Sequence, residues 1–346
     1  MRTLRRLLQC GEWIQSHALH IHLLDAPDFL GCESAFSLPP ELASFLDRGL
    51  RLKAAGSRII EVLGGRAVHP VNVAVGGFHR PPAAAAVAAL RPDLEAGLEA
   101  ALDTLAVVRG FSFPEWRRPC TLVSLVSDEG YPLNEGRILA TRGGHSLFTV
   151  AAADFEARFV ERQVPHSTAL HAELVDDATP YLCGPLARVA HCRARLPPQA
   201  RAAADACGID WAAANPFHAI VARAIEVVAA FEEALRIVAD LGAAPLPARV
   251  EWQPRGRTAS HAVEAPRGLL FHRYRTTADG LVAEARIVPP TSQNQRRIEA
   301  DLAAYLPTLA QLDDATLTRR CEHLVRTFDP CISCATHFVR VARKPG

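Results

Sequence analysis

Two thiols, a carboxylate and an imidazole fall within nine residues near the C-terminal end, in Asp329-Pro-Cys-Ile-Ser-Cys-Ala-Thr-His337. Cys331 and Cys334 stand three apart, so one helical turn or tight loop can aim both sulfurs at a single centre. Thiolates favour soft, thiophilic metals. The same spacing also serves structural zinc, iron-sulfur clusters and dithiol redox chemistry, and spacing alone leaves these open. A second reactive stretch is Glu264-Ala-Pro-Arg-Gly268, where Arg267 is held on a constrained loop between Pro and Gly. Taken alone, such an arginine is more often a surface or ion-pair residue. His17, His20 and His22 cluster near the start, and His17 and His20 are spaced to share a helix face. Packing or hydrogen bonding in a core is their plainer reading. Cys183, His191, Cys192 and Cys207 match no recognised zinc spacing. The glycines of Gly65-Arg-Ala-Val-His-Pro70 and Gly76-Gly77 lack the Lys-Ser/Thr and the GxGxxG of a nucleotide cradle.

The elements that must position these groups are legible in outline. Leu7, Leu8, Ile14, Leu19 and Leu23 predict a buried helix over 4–24, and a second helix over 40–63 stops at Gly64-Gly65. Residues 82–108 read as alanine-rich helix broken at Arg91-Pro92, and 121–127 as a short strand. A long amphipathic helix is predicted over 217–241, stopped by Gly242. A hairpin follows the Arg267 loop, with strands over 269–275 and 281–288 around the turn Ala278-Asp-Gly280.

The chain has 346 residues, 49% apolar and 22% charged, enough for a large core. Its 38 basic and 37 acidic residues give a net charge of +1, which provides no basic footprint for nucleic acid. No apolar run is long enough for a membrane span, and no signal peptide is evident. Nine cysteines with irregular spacing argue for reduced thiols and not for a secreted disulfide framework. A cytoplasmic protein is expected.

The full stretch from Asp329 to His337 resembles the C-terminal motif of nickel-iron hydrogenase large subunits. The stretches Ile14 to His20, Gly65 to Pro70, and Glu264 to His272 with Pro290-Thr-Ser-Gln-Asn294 resemble further motifs of that family, in order. Tyr131-Pro-Leu-Asn-Glu-Gly136, Val164-Pro-His-Ser167 and Gly184-Pro-Leu-Ala-Arg188 resemble its cytoplasmic branch coupled to nicotinamide carriers. The resemblance implies an α+β, helix-dominated fold with a few short strands, as a single domain over 1–346. It implies that Cys331 and Cys334 hold a nickel-iron centre whose iron carries cyanide and carbon monoxide. By the same resemblance His337 holds a magnesium-like cation, Thr291 and Pro290 contact the diatomic ligands, and Arg267, Asp28 and Asp329 surround the reacting face. His69 is read as a supporting residue.

Heterolytic cleavage of H2 needs a metal and a base in a dry pocket, with preorganised charge around them. Since guanidinium pKa lies above about 12, Arg267 either serves as a demanding base or orders H2 and the diatomic ligands. It is expected to act there and not as a structural ion pair. Electrons then leave through an iron-sulfur small subunit, with diaphorase-type electron-transfer subunits beyond it. A maturation endopeptidase is expected to remove the residues after His337. Neither Cys10 nor Cys32 belongs to a CxxC, so the family's first cysteine pair has no counterpart in these 346 residues. The chain as written is therefore expected to bind nickel weakly, to carry no stable iron-diatomic unit and to show no H2 activity until a further CxxC pair is supplied. A non-catalytic hydrogenase-like scaffold, such as the quinone-site subunit of respiratory complex I, and a zinc-binding structural protein stand as alternatives.

Overall fold

The computed structural model describes residues 1–242 and 249–331, so Cys334 and His337 lie outside the described residues. The first apolar pattern forms α1 (Arg2–Leu19), burying Leu4, Leu7, Trp13 and Ile14. The helix predicted to continue to Leu24 instead widens into a π-helical turn, His20–Asp25, followed by α2 (Ala26–Phe29). Such turns push side chains off the regular helix face, and this one buries His20, His22 and Asp25.

After α3 (Ala43–Gly64), the chain turns at Gly65 with φ 85°, the left-handed stop that the sequence predicts. Helices α1 and α3 cross at Gly11 and Gly56. A Cβ on Gly56 would lie 2.7 Å from the Gly11 carbonyl oxygen, so the two backbones meet without side chains between them. A short ribbon, β1 (Val73–Ala74) and β2 (Gly77–Phe78), leads to α4 (Ala84–Ala88) and α5 (Arg91–Val108). Pro92 falls in the first turn of α5, where its missing N–H costs nothing.

A four-stranded sheet is ordered β5-β4-β3-β8, from β3 (Thr121–Val126), β4 (Arg137–Arg142), β5 (His145–Val150) and β8 (Tyr181–Cys183). Between β5 and β8 lies the hairpin β6 (Phe159–Val164) and β7 (Ser167–Leu174). Helices α6 (Pro185–Cys192) and α7 (Pro198–Ala206) then lead to α8 (Ala219–Leu241). The helix predicted here as amphipathic is buried without interruption from Ala219 to Phe231. It is the centre of the helical core, and it carries Arg223 and Glu226 into that core.

The expected hairpin is a three-stranded meander, β9 (Thr258–Ala265), β10 (Gly268–Thr276) and β11 (Val282–Val288). A second core lies among the strands, where the Phe155 ring stacks on Phe271 at 4.2 Å and on Phe159 at 4.6 Å. Helices α9 (Pro290–Tyr305) and α10 (Asp314–Arg326) complete the described chain. The architecture is α+β and helix-dominated.

Candidate metal centre

Arg267 sits at the tip of a two-residue turn, because Ala265 pairs directly with Gly268 across β9 and β10. This turn packs on the end of β8. Gly268 has φ 139°, and a Cβ there would lie 2.6 Å from the Cys183 sulfur. A glycine is required by both the angle and the space.

The start of α9 locks the same corner from the other side. Asn294 accepts from the Cys183 N–H at 2.8 Å and donates to the Cys183 carbonyl at 3.0 Å. Gln293 donates to the Leu269 and Val288 carbonyls and accepts from the Tyr181 hydroxyl. Buried amides that satisfy several backbone groups at once define one geometry for strands β8 and β10. Pro290 opens the helix and Thr291, buried, accepts from the Cys331 N–H at 3.3 Å.

The third wall is the turn after α10. Asp329 takes φ 51°, and its buried carboxylate lies 3.1 Å from Arg267 Nη2, while its carbonyl accepts from Arg267 Nε at 2.8 Å. Arg267 thus pairs with the residue two before Cys331. Burial works against the charge on Asp329, yet His20, Arg223 and Arg267 hold its pKa below the ordinary value. Burial lowers His20 itself to about 3, so at neutral pH the stabilising charge comes from the two arginines. His20 Nε2 donates to the Arg326 carbonyl at 2.8 Å and lies 3.9 Å from Asp329.

Asp28 faces a different partner. Arg326 grips it with both fork nitrogens, at 2.6 and 2.8 Å, although burial still leaves its pKa raised. Behind it lies Asp25, fully buried, with neither oxygen hydrogen-bonded among the described residues. Burial raises its pKa to about 7, against the pull of Arg223 and with help from Asp28 and Asp329. His20 Nδ1 and His323 Nε2 stand 4.0 and 3.9 Å away. Arg223, also fully buried, finds no hydrogen-bond partner for Nε or Nη1 among the described residues. With Arg267, Cys183 and Phe328 it lines a cavity of about 10 Å3, room for about one water.

A buried ionic network supports the Arg267 turn. Arg188 donates twice to Glu226 at 2.7 Å, once to Glu264 at 2.9 Å, and to the Ala265 and Pro266 carbonyls at 2.9 Å. Tyr131 donates to Glu226 at 2.7 Å, and His17 to its other oxygen at 3.0 Å. One guanidinium thus serves two carboxylates. Burial opposes both charges, but Arg188 draws Glu226 down to about 2, while Glu264 is left at about 7.

The structure therefore brings together Arg267, Asp329, Pro290, Thr291 and Cys331, and pairs Asp28 with Arg326, three residues before Asp329. Cys334 and His337 lie outside the described residues. His69 is exposed, with φ 53°, and among the described residues its carbonyl accepts from Arg66. Cys183, His191, Cys192 and Cys207 do not converge: His191 is held by Ser124 and Thr141, and Cys207 bonds back to Ala203. Asp25, Arg188, Arg223 and Glu226 escaped the sequence reading. A charge inside the apolar run Ala219-Ile-Val-Ala-Arg-Ala-Ile-Glu226 was the available signal.

A family model described as nickel-dependent hydrogenase matches residues 178–337. The alpha chain of sulfhydrogenase 1 from Pyrococcus furiosus is 28% identical over 344 residues, covering 99% of this chain and 79% of that protein. An F420-non-reducing hydrogenase subunit of Methanothermobacter thermautotrophicus is 25% identical, covering 97% and 76%. Among solved structures, an NAD+-reducing [NiFe]-hydrogenase in the H2-reduced state superposes with a TM-score of 0.84 at 25% identity, over 97% of this chain and 80% of that one. The Ni-Fe-Se hydrogenase of D. vulgaris Hildenborough shares the fold, with a TM-score of 0.73 at 18% identity over 97% and 82%. With its motifs in order and its fold matched over 97% of its length, the chain is similar to the large subunits of nickel-dependent hydrogenases, whose family model matches its C-terminal part.

Proposed function

We propose that this chain is the H2-cleaving subunit of a cytoplasmic nickel-iron hydrogenase that passes electrons to an iron-sulfur small subunit, with diaphorase-type partners beyond it. The observation that carries the reading is the clasp of Arg267 on Asp329, two residues before Cys331, together with the hydrogen bond that Thr291 accepts from the Cys331 N–H. The described residues fit one side of a nickel-iron centre. Cys331 is anchored through its N–H, and Asp329 Oδ2 and Arg223 Nε and Nη1 are buried polar atoms without hydrogen-bond partners among the described residues. Cys331 and Cys334 would hold the metals, His337 a magnesium-like cation, and Thr291 and Pro290 would face the cyanide and carbon monoxide ligands. When bound, the centre supplies the electron-rich metal that polarises H2.

The chain's own residues then manage charge and protons. Asp329 engages both Nε and Nη2 of the Arg267 fork, which orients the guanidinium as a preorganised cation. Arg326 holds both carboxylate oxygens of Asp28. Asp25, with a pKa near neutrality and unpartnered oxygens among the described residues, can take up or release a proton between His20 and His323. Cys10, Cys183 and Cys192 are pushed up to about 12 by burial, and none of them belongs to a CxxC pair. The 346 residues thus provide two of the sulfurs that the family resemblance calls for, and the isolated chain should hold nickel weakly. Removal of the residues after His337 belongs to the same reading, and the family match ends at that residue. H2-dependent dye reduction by the complex isolated from its own cells tests the function, and its absence from a nickel-loaded complex refutes it.

A further inference from the structure

The Val164-Pro-His-Ser167 segment takes no part in the centre described above, yet the fold gives it chemistry. His166 occupies the turn between β6 and β7, and His171 lies on β7 itself. Glu299 reaches them from α9. Nε2 of His166 stands 3.1 Å from both carboxylate oxygens of Glu299, and Nε2 of His171 stands 3.4 Å from Oε1. One ligand atom from each residue lies within 4.8 Å of the other two. Atoms bound at zinc-type distances to one tetrahedral ion are about 3.3 Å apart, so the spacing suits a shared ion with little movement.

A surface ion pair between His166 and Glu299 accounts for only part of this arrangement. His171 is 3% exposed, and its Nε2 points toward Glu299 without making a hydrogen bond. A buried imidazole nitrogen left in that condition is an unsatisfied polar group that a ligand would complete. Burial also lowers the His171 pKa, keeping its ring neutral and available to a metal. The nearby cation Arg296 is engaged by Glu173 and does not fill the site.

We propose that His166, His171 and Glu299 form a binding site for a divalent transition ion of the zinc type, separate from the Cys331 centre. Two imidazoles and a carboxylate favour such an ion over magnesium or calcium. The protein supplies three ligands, and the exposure of His166 leaves a fourth position for water. The ion would fasten the β6–β7 hairpin to α9, the helix whose first turn carries Pro290 and Thr291.

The test uses the full chain carrying Cys331→Ser and Cys334→Ser, so that the paired thiols cannot compete for metal. Zinc is added, excess is removed by gel filtration, and bound zinc is measured by elemental analysis and competition with a chromophoric chelator. The expected result is one zinc per chain, with affinity falling at least 10-fold in His166→Ala and in Glu299→Gln. Both side chains are solvent-accessible, and circular dichroism checks that each variant remains folded. No bound zinc in the background chain, or equal affinity in the folded variants, overturns the proposal.

Discussion

Replacing Arg188 with methionine keeps much of the side-chain volume and removes five hydrogen bonds at once. Glu226 would then remain fully buried with only Tyr131 and His17 as partners, and the Ala265 and Pro266 carbonyls would lose their donor. Stranding a buried charge in this way costs about 3–5 kcal/mol. Urea unfolding at pH 7, followed by circular dichroism, should show that loss as a lower midpoint with an unchanged slope. The sign of the pH effect follows from Glu226. Arg188 holds its folded pKa at about 2, below the ordinary 4.5, so its stabilisation is present above pH 4.5 and is lost as pH falls from 4.5 toward 2. Without Arg188 that dependence disappears, and the gap between parent and variant should narrow on acidification. Adding Glu226→Gln and Glu264→Gln to Arg188→Met should recover a large part of the stability, because no charge is left unpaired. A single variant as stable as the parent, or a triple variant no better than the single, would refute the reasoning.

Arg267→Lys keeps the charge but cannot span both the Asp329 carboxylate and its carbonyl. H2-dependent activity should fall by orders of magnitude while nickel and iron content persists and stability changes by no more than about 1 kcal/mol; parallel loss of metal would assign Arg267 a structural role. Asp25 has a folded pKa near 7 against an ordinary 3.8, so its neutral form favours the fold below pH 3.8 and that advantage drains away as pH rises through 7, by up to about 4 kcal/mol. Asp25→Asn should therefore gain stability relative to the parent between pH 5 and 8 in urea titrations, and parallel curves would count against the assignment. Gly56→Ala would push a Cβ to 2.7 Å from backbone atoms of α1 and should cost about 1–3 kcal/mol in the same assay, while an unchanged midpoint would show that the helices can separate.

Elements whose signals are local were legible in the sequence. The stop at Gly65, the strand at 121–126 and the turn that presents Arg267 each depend on a few adjacent residues, and each formed where those residues predict it. The alternation over 258–265 went unread because β9 owes its place to pairing with β10 across the Pro266-Arg267 turn. The π-helical turn at His20–Asp25 was hidden for a related reason: its apolar periodicity is that of an ordinary helix, and only tertiary contacts reveal the widened geometry. At the candidate centre, motif letters pointed to Arg267, Thr291, Asp329 and Cys331, which the fold places on adjoining elements. Arg188, Arg223, Glu226 and Asp25 were missed because their partners lie far away in the chain, as with Arg188 and Glu264 or Asp25 and His323.

Infrared spectroscopy of the complex isolated from its own cells, combined with elemental analysis, tests the central claim most directly. The account predicts nickel and iron in equal amount, with absorption bands of iron-bound cyanide and carbon monoxide, and loss of both metals and bands in Cys331→Ser. Zinc in place of nickel and iron, or metals and bands that survive the loss of Cys331, would contradict it.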